Sequence, residues 1–435
     1  MMKRRSIGGS PRLFAGIRAV LLLALLMPVV GCTGLREGRV AYKKGDYQAA
    51  VESWRPQAEQ GDATAQYLVG LMYERGHGVP QDDAEAASWY ARAAAQGHAE
   101  AMNNLGICYQ LGRGVDQDIA KAYELYTRAA DQKLPNARCN LGVMYYYGIG
   151  VEADKRRAAG HFRFAALRGS HKAQYLLGLM YLTADHVPLS TREGTRWVSA
   201  SAERGYAPAQ FELAQLHEQG RGVPRSDHLA KRAYRSAALQ GHTGAQTNLA
   251  MLLIERGDGE ADLAEAVDWL EQAGAQGVVQ AQYALGRVYA QAGALNNDDE
   301  AAWWLKRAAQ QGMPEAQASL AVMVDRGRGV AQDPAEAARL YRLAAGQDWP
   351  RAQHMLGYFY ETGRGVTQDR ATAFYWYTLA AANGYEPAKR RRDLLGFQIT
   401  PDQYHAASAM VSRWYDERET RASIDNGLAG VETDN

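Results

Sequence analysis

The chain has 435 residues, 47% hydrophobic and 22% charged, with a formal net charge of +1. A composition this ordinary lacks the strong basicity of a nucleic-acid binder. Five of its cations lie in residues 1–31 with no acid among them, so the remainder is net acidic.

Lys3, Arg4 and Arg5 precede an apolar run from Ala19 to Val30, which is too short for a comfortable membrane span. This is the layout of a secretion signal. The run ends in Val29-Val30-Gly31-Cys32, which resembles a lipobox, the site where lipoprotein signal peptidase cuts. The resemblance implies that residues 1–31 are removed and that Cys32 becomes an acylated first residue. It would then be held in a membrane by acyl chains contributing about 0.8 kcal/mol per buried CH₂. Thr33 stands where Asp would resemble an inner-membrane retention signal, so the expected location is the outer membrane, facing the periplasm. Residues 32–37 read as a linker. Residues 38–64 read as a leading helical unit whose Gly45-Asp46-Tyr47 resembles the turn of a tetratricopeptide repeat.

From residue 65 to 387 one phrase recurs nine times. It opens at Ala65, Ala101, Ala137, Ala173, Ala209, Ala245, Ala281, Ala316 and Ala352, in steps of 36 residues except for 35 between Ala281 and Ala316. A fixed period of this size marks stacked helix pairs, a structure that grows without needing a second core. In the first helix of each unit, helix A, an apolar residue stands four after the opening Ala. It is Val69 in the first unit and Leu in the others, from Leu105 to Leu356. The next residue is Gly70, Gly106, Gly142, Gly178, Gly286 or Gly357, and otherwise Ala. Mid-helix Gly costs about 1 kcal/mol relative to Ala, so its recurrence predicts a close approach by the neighbouring helix, and Gly142→Leu is expected to unfold the chain locally.

Gly-x-Gly-Val segments such as Gly112 to Val115 end helix A, Gly supplying the left-handed cap. They match neither phosphate-binding pattern. Seventeen residues after each opening Ala stand Asp82, Asp118, Asp154, Ser190, Ser226, Asp262, Asp298, Asp333 and Asp369, all good N-caps for the second helix, helix B. Helix B carries Trp89, Tyr126, Phe162, Trp197, Tyr234, Trp269, Trp304, Tyr341 and Trp376, which read as core at this spacing. Cys108 and Cys139 are offset by five residues within their repeats, about 7 Å along a helix at 1.5 Å per residue, which together with the spacing between helices exceeds disulfide reach.

The pattern resembles the Sel1-like repeat family, relatives of tetratricopeptide repeats; residues 101–133 and 352–384 follow its phrase closely. The resemblance implies an all-α, right-handed α-solenoid of stacked antiparallel helix pairs. The fourth repeat, with Ala184-Asp185-His186, and the seventh, with Ala294-Leu295-Asn296-Asn297, depart from the loop pattern, and their loops are expected to differ. Residues 388–420 read as closing helices that shield the last apolar face, with Lys389-Arg390-Arg391-Arg392 as a solvated face. Residues 421–435 read as a disordered tail.

No metalloprotease, serine-hydrolase or redox motif occurs, and the ten His residues scatter over different repeat positions. The expectation is therefore a non-enzyme without cofactor, metal site or nucleic-acid partner. By analogy with tetratricopeptide repeats, offsets two, six and nine from the opening Ala should face a partner groove. Offset two places Tyr67, Asn103, Tyr175, Phe211, Tyr283 and His354 in one row, and offset nine places Glu74, Gln110, Tyr146, Glu218 and Glu361 in another. Replacing Tyr175, Phe211 and Tyr283 by Ser is expected to abolish partner capture without unfolding. The function expected is a lipid-anchored periplasmic scaffold for envelope proteins, resembling the scaffold of alginate export that serves an outer-membrane porin and a synthase. The alternatives are a polysaccharide- or peptidoglycan-binding module, or a regulator of envelope enzymes or motility.

Overall fold

The computed structural model describes residues 34–431 apart from 258 and 292–294, and for 421–431 the backbone alone. Cys32 and the signal segment lie outside the described residues. The described elements are all helices, without a strand among them. The chain divides after Arg225 into two compact units, and the boundary falls in the loop of the fifth repeat.

The first unit holds α1 (34–43) and α2 (Tyr47–Glu59), the leading pair. Four repeats follow as A and B helices: α3 (Ala63–Arg75) with α4 (Asp83–Ala95), α5 (Ala99–Leu111) with α6 (Ile119–Asp131), α7 (Pro135–Tyr147) with α8 (Lys155–Leu167), and α9 (His171–Thr183) with α10 (Thr191–Glu203). Helix A of the fifth repeat, α11 (Ala207–Gln219), closes the unit. The second unit opens with helix B of that repeat, α12 (Asp227–Ala238). It continues with α13 (Thr243–Arg256) and α14 (Glu260–Ala275), α15 (Val279–Ala290) and α16 (Asp298–Gln310), α17 (Pro314–Arg326) and α18 (Pro334–Ala345), and α19 (Pro350–Thr362) and α20 (Arg370–Ala382). Two closing helices, α21 (Glu386–Gly396) and α22 (Pro401–Val431), end it. From α2 to α11 and from α12 to α21 each helix packs on its neighbour in sequence, and α22 folds back onto α20. The last helix runs to Val431 where a disordered tail from residue 421 was expected; no Pro follows residue 401 to stop it.

Side chains fix where each helix begins and ends. Asp82, Asp118, Asp154, Ser190, Ser226, Asp333 and Asp369 cap helix B as expected, each accepting from backbone N–H groups of the first turn. Asp262 and Asp298 do not. In the seventh repeat the missing residue lies in the loop, so the cap shifts back to Asn297, which accepts from the Glu300 N–H at 3.2 Å. In the sixth, α14 starts three residues early at Gly259, which leaves Asp262 inside its first turn, beside Lys231.

The Gly-x-Gly loops need glycine twice over. Gly112 takes φ 66°, and Gly114 takes φ 68° with a would-be Cβ only 2.0 Å from the Asp83 carbonyl of the preceding B helix. The fourth repeat was expected to differ, yet it keeps the left-handed turns with Ala184 at φ 57° and His186 at φ 58°. Asp185 between them anchors the loop by accepting from the Tyr146 hydroxyl and from Lys155, the latter at 3.1 Å. The seventh-repeat loop does differ: Gln291 after α15 is extended rather than left-handed.

The mid-helix glycines of helix A face the B helix of their own repeat. A Cβ on Gly106 would lie 2.7 Å from the Tyr126 ring, and one on Gly142 2.6 Å from the Phe162 ring. Backbone approaches too, the Gly194 carbonyl standing 3.0 Å from a Cβ on Gly178. Seven of the nine helix B aromatics are buried; Trp197 and Trp269 are half-buried. Cys108 and Cys139 are buried free thiols, and burial pushes each up to about 11.

A buried glutamine also recurs, one residue after the opening Ala. The Nε2 groups of Gln66, Gln174, Gln246, Gln282, Gln317 and Gln353 donate to carbonyls at the end of the preceding B helix, eight residues back. A Gln at the end of the repeat's own B helix then donates to the same side chain, as Gln96 does to Gln66 at 2.8 Å and Gln347 to Gln317 at 3.0 Å. Each such link satisfies a helix end that would otherwise leave orphan carbonyls in the seam.

Candidate functional site

The offset-nine residues lie where helix A meets the aromatic of helix B, and several are committed to internal hydrogen bonds. Glu74 accepts from the Tyr90 hydroxyl at 2.5 Å and pairs with Arg113 of the next loop at 3.5 Å. Gln110 accepts from Tyr126 at 2.8 Å. Glu361 accepts from Tyr377 at 2.8 Å and holds Arg391 of α21 through two bonds of 2.8 Å. Tyr146 donates to Asp185, and that bond, with Lys155 and His186 close by, holds the Asp185 carboxyl down to about 2. Burial, helped by the bond to Glu74, drives Tyr90 far above the ordinary tyrosine range. Glu218 is half-buried. The acidic–polar row expected to await a partner is therefore largely a stacking device.

The offset-two row is likewise sunk into the seams between repeats. Tyr67 stacks on His98 with ring centroids 4.8 Å apart, and Tyr175 meets Tyr206 edge-on at 5.6 Å. Burial pushes Tyr175 up to about 12. His354 lies 5.4 Å from Tyr385. In each pair the second ring belongs to the residue just before the next A helix. Asn103 is 5% exposed and accepts from Asn140 at 2.9 Å. Phe211 and Tyr283 are half-buried, the Arg287 guanidinium lying 5.8 Å from the Tyr283 ring. Tyr67, Asn103, Tyr175 and Phe211 belong to the first unit, Tyr283 and His354 to the second. Because Tyr175 carries a seam contact, its replacement by Ser would loosen the stack as well as alter the surface.

The surface missed by sequence reasoning lies one residue further on. Offset ten is exposed in all five A helices of the first unit: Arg75, Leu111, Tyr147, Thr183 and Gln219. Leu111 and Tyr147 are 59% and 65% exposed. The available signal was variety: along the first unit this position changes residue type in every repeat. Another unclaimed group is Glu212, a half-buried carboxylate on α11 raised above its usual range by burial.

The Lys389–Arg392 run is mostly engaged as a capping face, Lys389 with Glu386, Arg391 with Glu361 and Arg392 with Asp393. Among the described residues no group of three His, Cys, Asp or Glu is placed to hold a metal, and no helix is long and apolar enough to cross a membrane.

Comparison with known proteins matches this arrangement. The Sel1 repeat model fits nine segments, 63–98, 99–134, 135–170, 171–206, 207–242, 243–278, 279–313, 314–348 and 350–385, the seventh and eighth matching 35 residues each and the others 36. A protective antigen of uropathogenic Escherichia coli strains, displaying an SLR fold, is 31% identical at a TM-score of 0.70, over 92% of this chain and 86% of its own. A Sel1 repeat protein from Oxalobacter formigenes is 28% identical over 56% of this chain and 96% of its own, at a TM-score of 0.49. An exopolysaccharide production negative regulator from Rhizobium leguminosarum bv. viciae is 42% identical over 57 residues, 13% of this chain. The chain spans about a fifth of that relative's length, 21%. Repeats of this kind form a scaffold for protein–protein interaction, a fold that is typically non-catalytic. With nine repeats in register and their stacking residues accounted for, the chain belongs to the Sel1 repeat family.

Proposed function

We propose that the chain is a lipid-anchored periplasmic scaffold that gathers envelope proteins, in an assembly serving exopolysaccharide export. One observation carries the reading: recurring residues are spent on holding repeats together, while the exposed offset-ten position varies from Arg75 to Leu111, Tyr147, Thr183 and Gln219. A stacked frame with a different exposed side chain on each A helix of the first unit suits recognition of protein surfaces. The anchor rests on the Val29–Cys32 lipobox resemblance. The exopolysaccharide assignment is supported by the Rhizobium relative, named as a negative regulator of exopolysaccharide production. Because that relative is named a negative regulator, control of envelope enzymes is the second reading.

Crosslinking of the C-terminally tagged protein in its native envelope, with identification of what co-purifies, tests both. A porin or synthase complex supports the export scaffold, and a single envelope enzyme supports the regulator. Glycan alone, without a stoichiometric protein, overturns both in favour of a carbohydrate-binding module. Leu111→Asp with Tyr147→Asp should weaken capture while leaving the fold intact, since both side chains are exposed.

A further inference from the structure

The leading end of the first unit carries a cavity of about 370 Å³ between α1, α2 and α3. Arg39 and Lys43, one turn apart on α1, and Arg75 at the end of α3 bring three cations to its walls. Leu68, Leu71 and Met72 of α3 supply apolar lining. No Asp or Glu lines it. Arg39, Lys43 and Arg75 are exposed, and Arg75 is steadied by donating to the Tyr42 hydroxyl at 2.8 Å. The cationic wall is peculiar to this end, since the residues in register with Arg75 along the unit are Leu111, Tyr147, Thr183 and Gln219.

The geometry points to a docking site for an acidic peptide segment of a partner protein, one apolar side chain resting on Leu68 and Leu71 while flanking carboxylates meet Arg39, Lys43 and Arg75. Charge complementarity selects the occupant. The chain's own residues 1–31 carry only cations and would be repelled. Size selects it further. The volume lies near the lower end of the roughly 300–1,000 Å³ of small-ligand sites, which suits an apolar side chain or two rather than a diacyl lipid. The proposal rests on the scaffold reading only in that its occupant is a protein.

The test uses the full-length protein and a fluorescein-labelled hexapeptide of two central leucines with two glutamates on each side, followed by fluorescence polarisation. Saturable binding that weakens with added salt is expected. It should weaken at least tenfold when serines replace the leucines, and at least tenfold in the Arg39→Glu, Lys43→Glu double variant, checked for fold by circular dichroism. Both variant positions are exposed, and the salt and serine controls need no variant at all. Absence of saturation overturns the proposal, and so does equal affinity for the serine peptide or unchanged affinity in the folded double variant. Phosphatidylglycerol vesicles that bind wild type but not the double variant, with no peptide binding, would instead make the groove a membrane contact. Peptide binding without any co-purifying envelope protein would leave this site standing while removing the envelope scaffold; the reverse result would do the opposite.

Discussion

Gly142 offers a direct test of how a repeat is held together. An Ala Cβ there would sit 2.6 and 2.7 Å from two carbons of the Phe162 ring and 3.3 Å from His161 Cβ. Phe162 is 1% exposed and cannot swing into solvent. Helix propensity favours Gly142→Ala by about 1 kcal/mol, while overpacking a filled core costs roughly 1–3 kcal/mol. The net expectation is a loss of about 0–2 kcal/mol for Ala and about 3 kcal/mol or more for Leu, whose extra carbons have no free volume. In the sixth repeat the same two registers hold Ala250 and Leu270, both buried. Gly142→Ala combined with Phe162→Leu should therefore cost less than the sum of the single changes, with coupling of about 1 kcal/mol, within the range for residues in contact. Urea unfolding gives the energies, and amide exchange in α7 and α8 shows whether the damage is local, as a repeat array requires. Additive energies, with coupling below about 0.3 kcal/mol, would refute ring packing as the reason for glycine.

The remaining predictions concern caps and seams. His98 and His242 cap α5 and α13 as neutral acceptors, Nδ1 lying 3.3 Å from the Ala101 N–H and 3.2 Å from the Ala245 N–H, and burial lowers both below the ordinary histidine range. The folded state then holds fewer protons than the unfolded chain, so this stability is present above about pH 6.5 and is lost as pH falls through the folded-state values. The urea midpoint should drop between pH 7 and pH 5, and His98→Asn with His242→Asn, which keep an acceptor, should flatten that dependence; an unchanged slope would remove the histidine caps from the account. Asn297→Ala should cost about 1 kcal/mol as a lost cap, while Asp298→Asn should leave the start of α16 intact by amide exchange and weaken only the Arg328 contact. Glu361→Ala should cost roughly 1–3 kcal/mol, chiefly from orphaning the buried Tyr377 hydroxyl rather than from the half-exposed Arg391 pair, and should raise exchange in α21 before other helices.

The period carried the fold in plain view, because stacking must repeat its contacts and therefore its residues. Helix positions, seven of the nine B-helix caps and the glycine–aromatic packing were all legible. The two missed caps show the limit of counting from one end. A deletion inside the seventh loop moved the cap to Asn297, and an early start in the sixth bypassed Asp262. The fourth loop shows another limit. Departure from Gly-x-Gly looked like a departure in backbone, yet the neighbouring helices impose the same left-handed turns on Ala184 and His186. Asp185 anchors this geometry through Tyr146 and Lys155, contacts invisible in a single repeat because they join residues 39 and 30 positions apart.

The candidate surface was less legible for a physical reason. An in-register residue draws attention because it recurs, but in a stack recurrence follows from contact with the next copy. Glu74, Gln110 and Glu361 recur as partners of Tyr90, Tyr126 and Tyr377, and Gln66, Gln317 and Gln353 as bridges to carbonyls eight residues earlier. Residues free to serve a partner have no reason to resemble one another. Arg75, Leu111 and Tyr147 occupy one register with three chemistries, all exposed. In a repeat protein of this kind the periodic residues therefore report stability, and recognition has to be sought where an exposed position breaks the period.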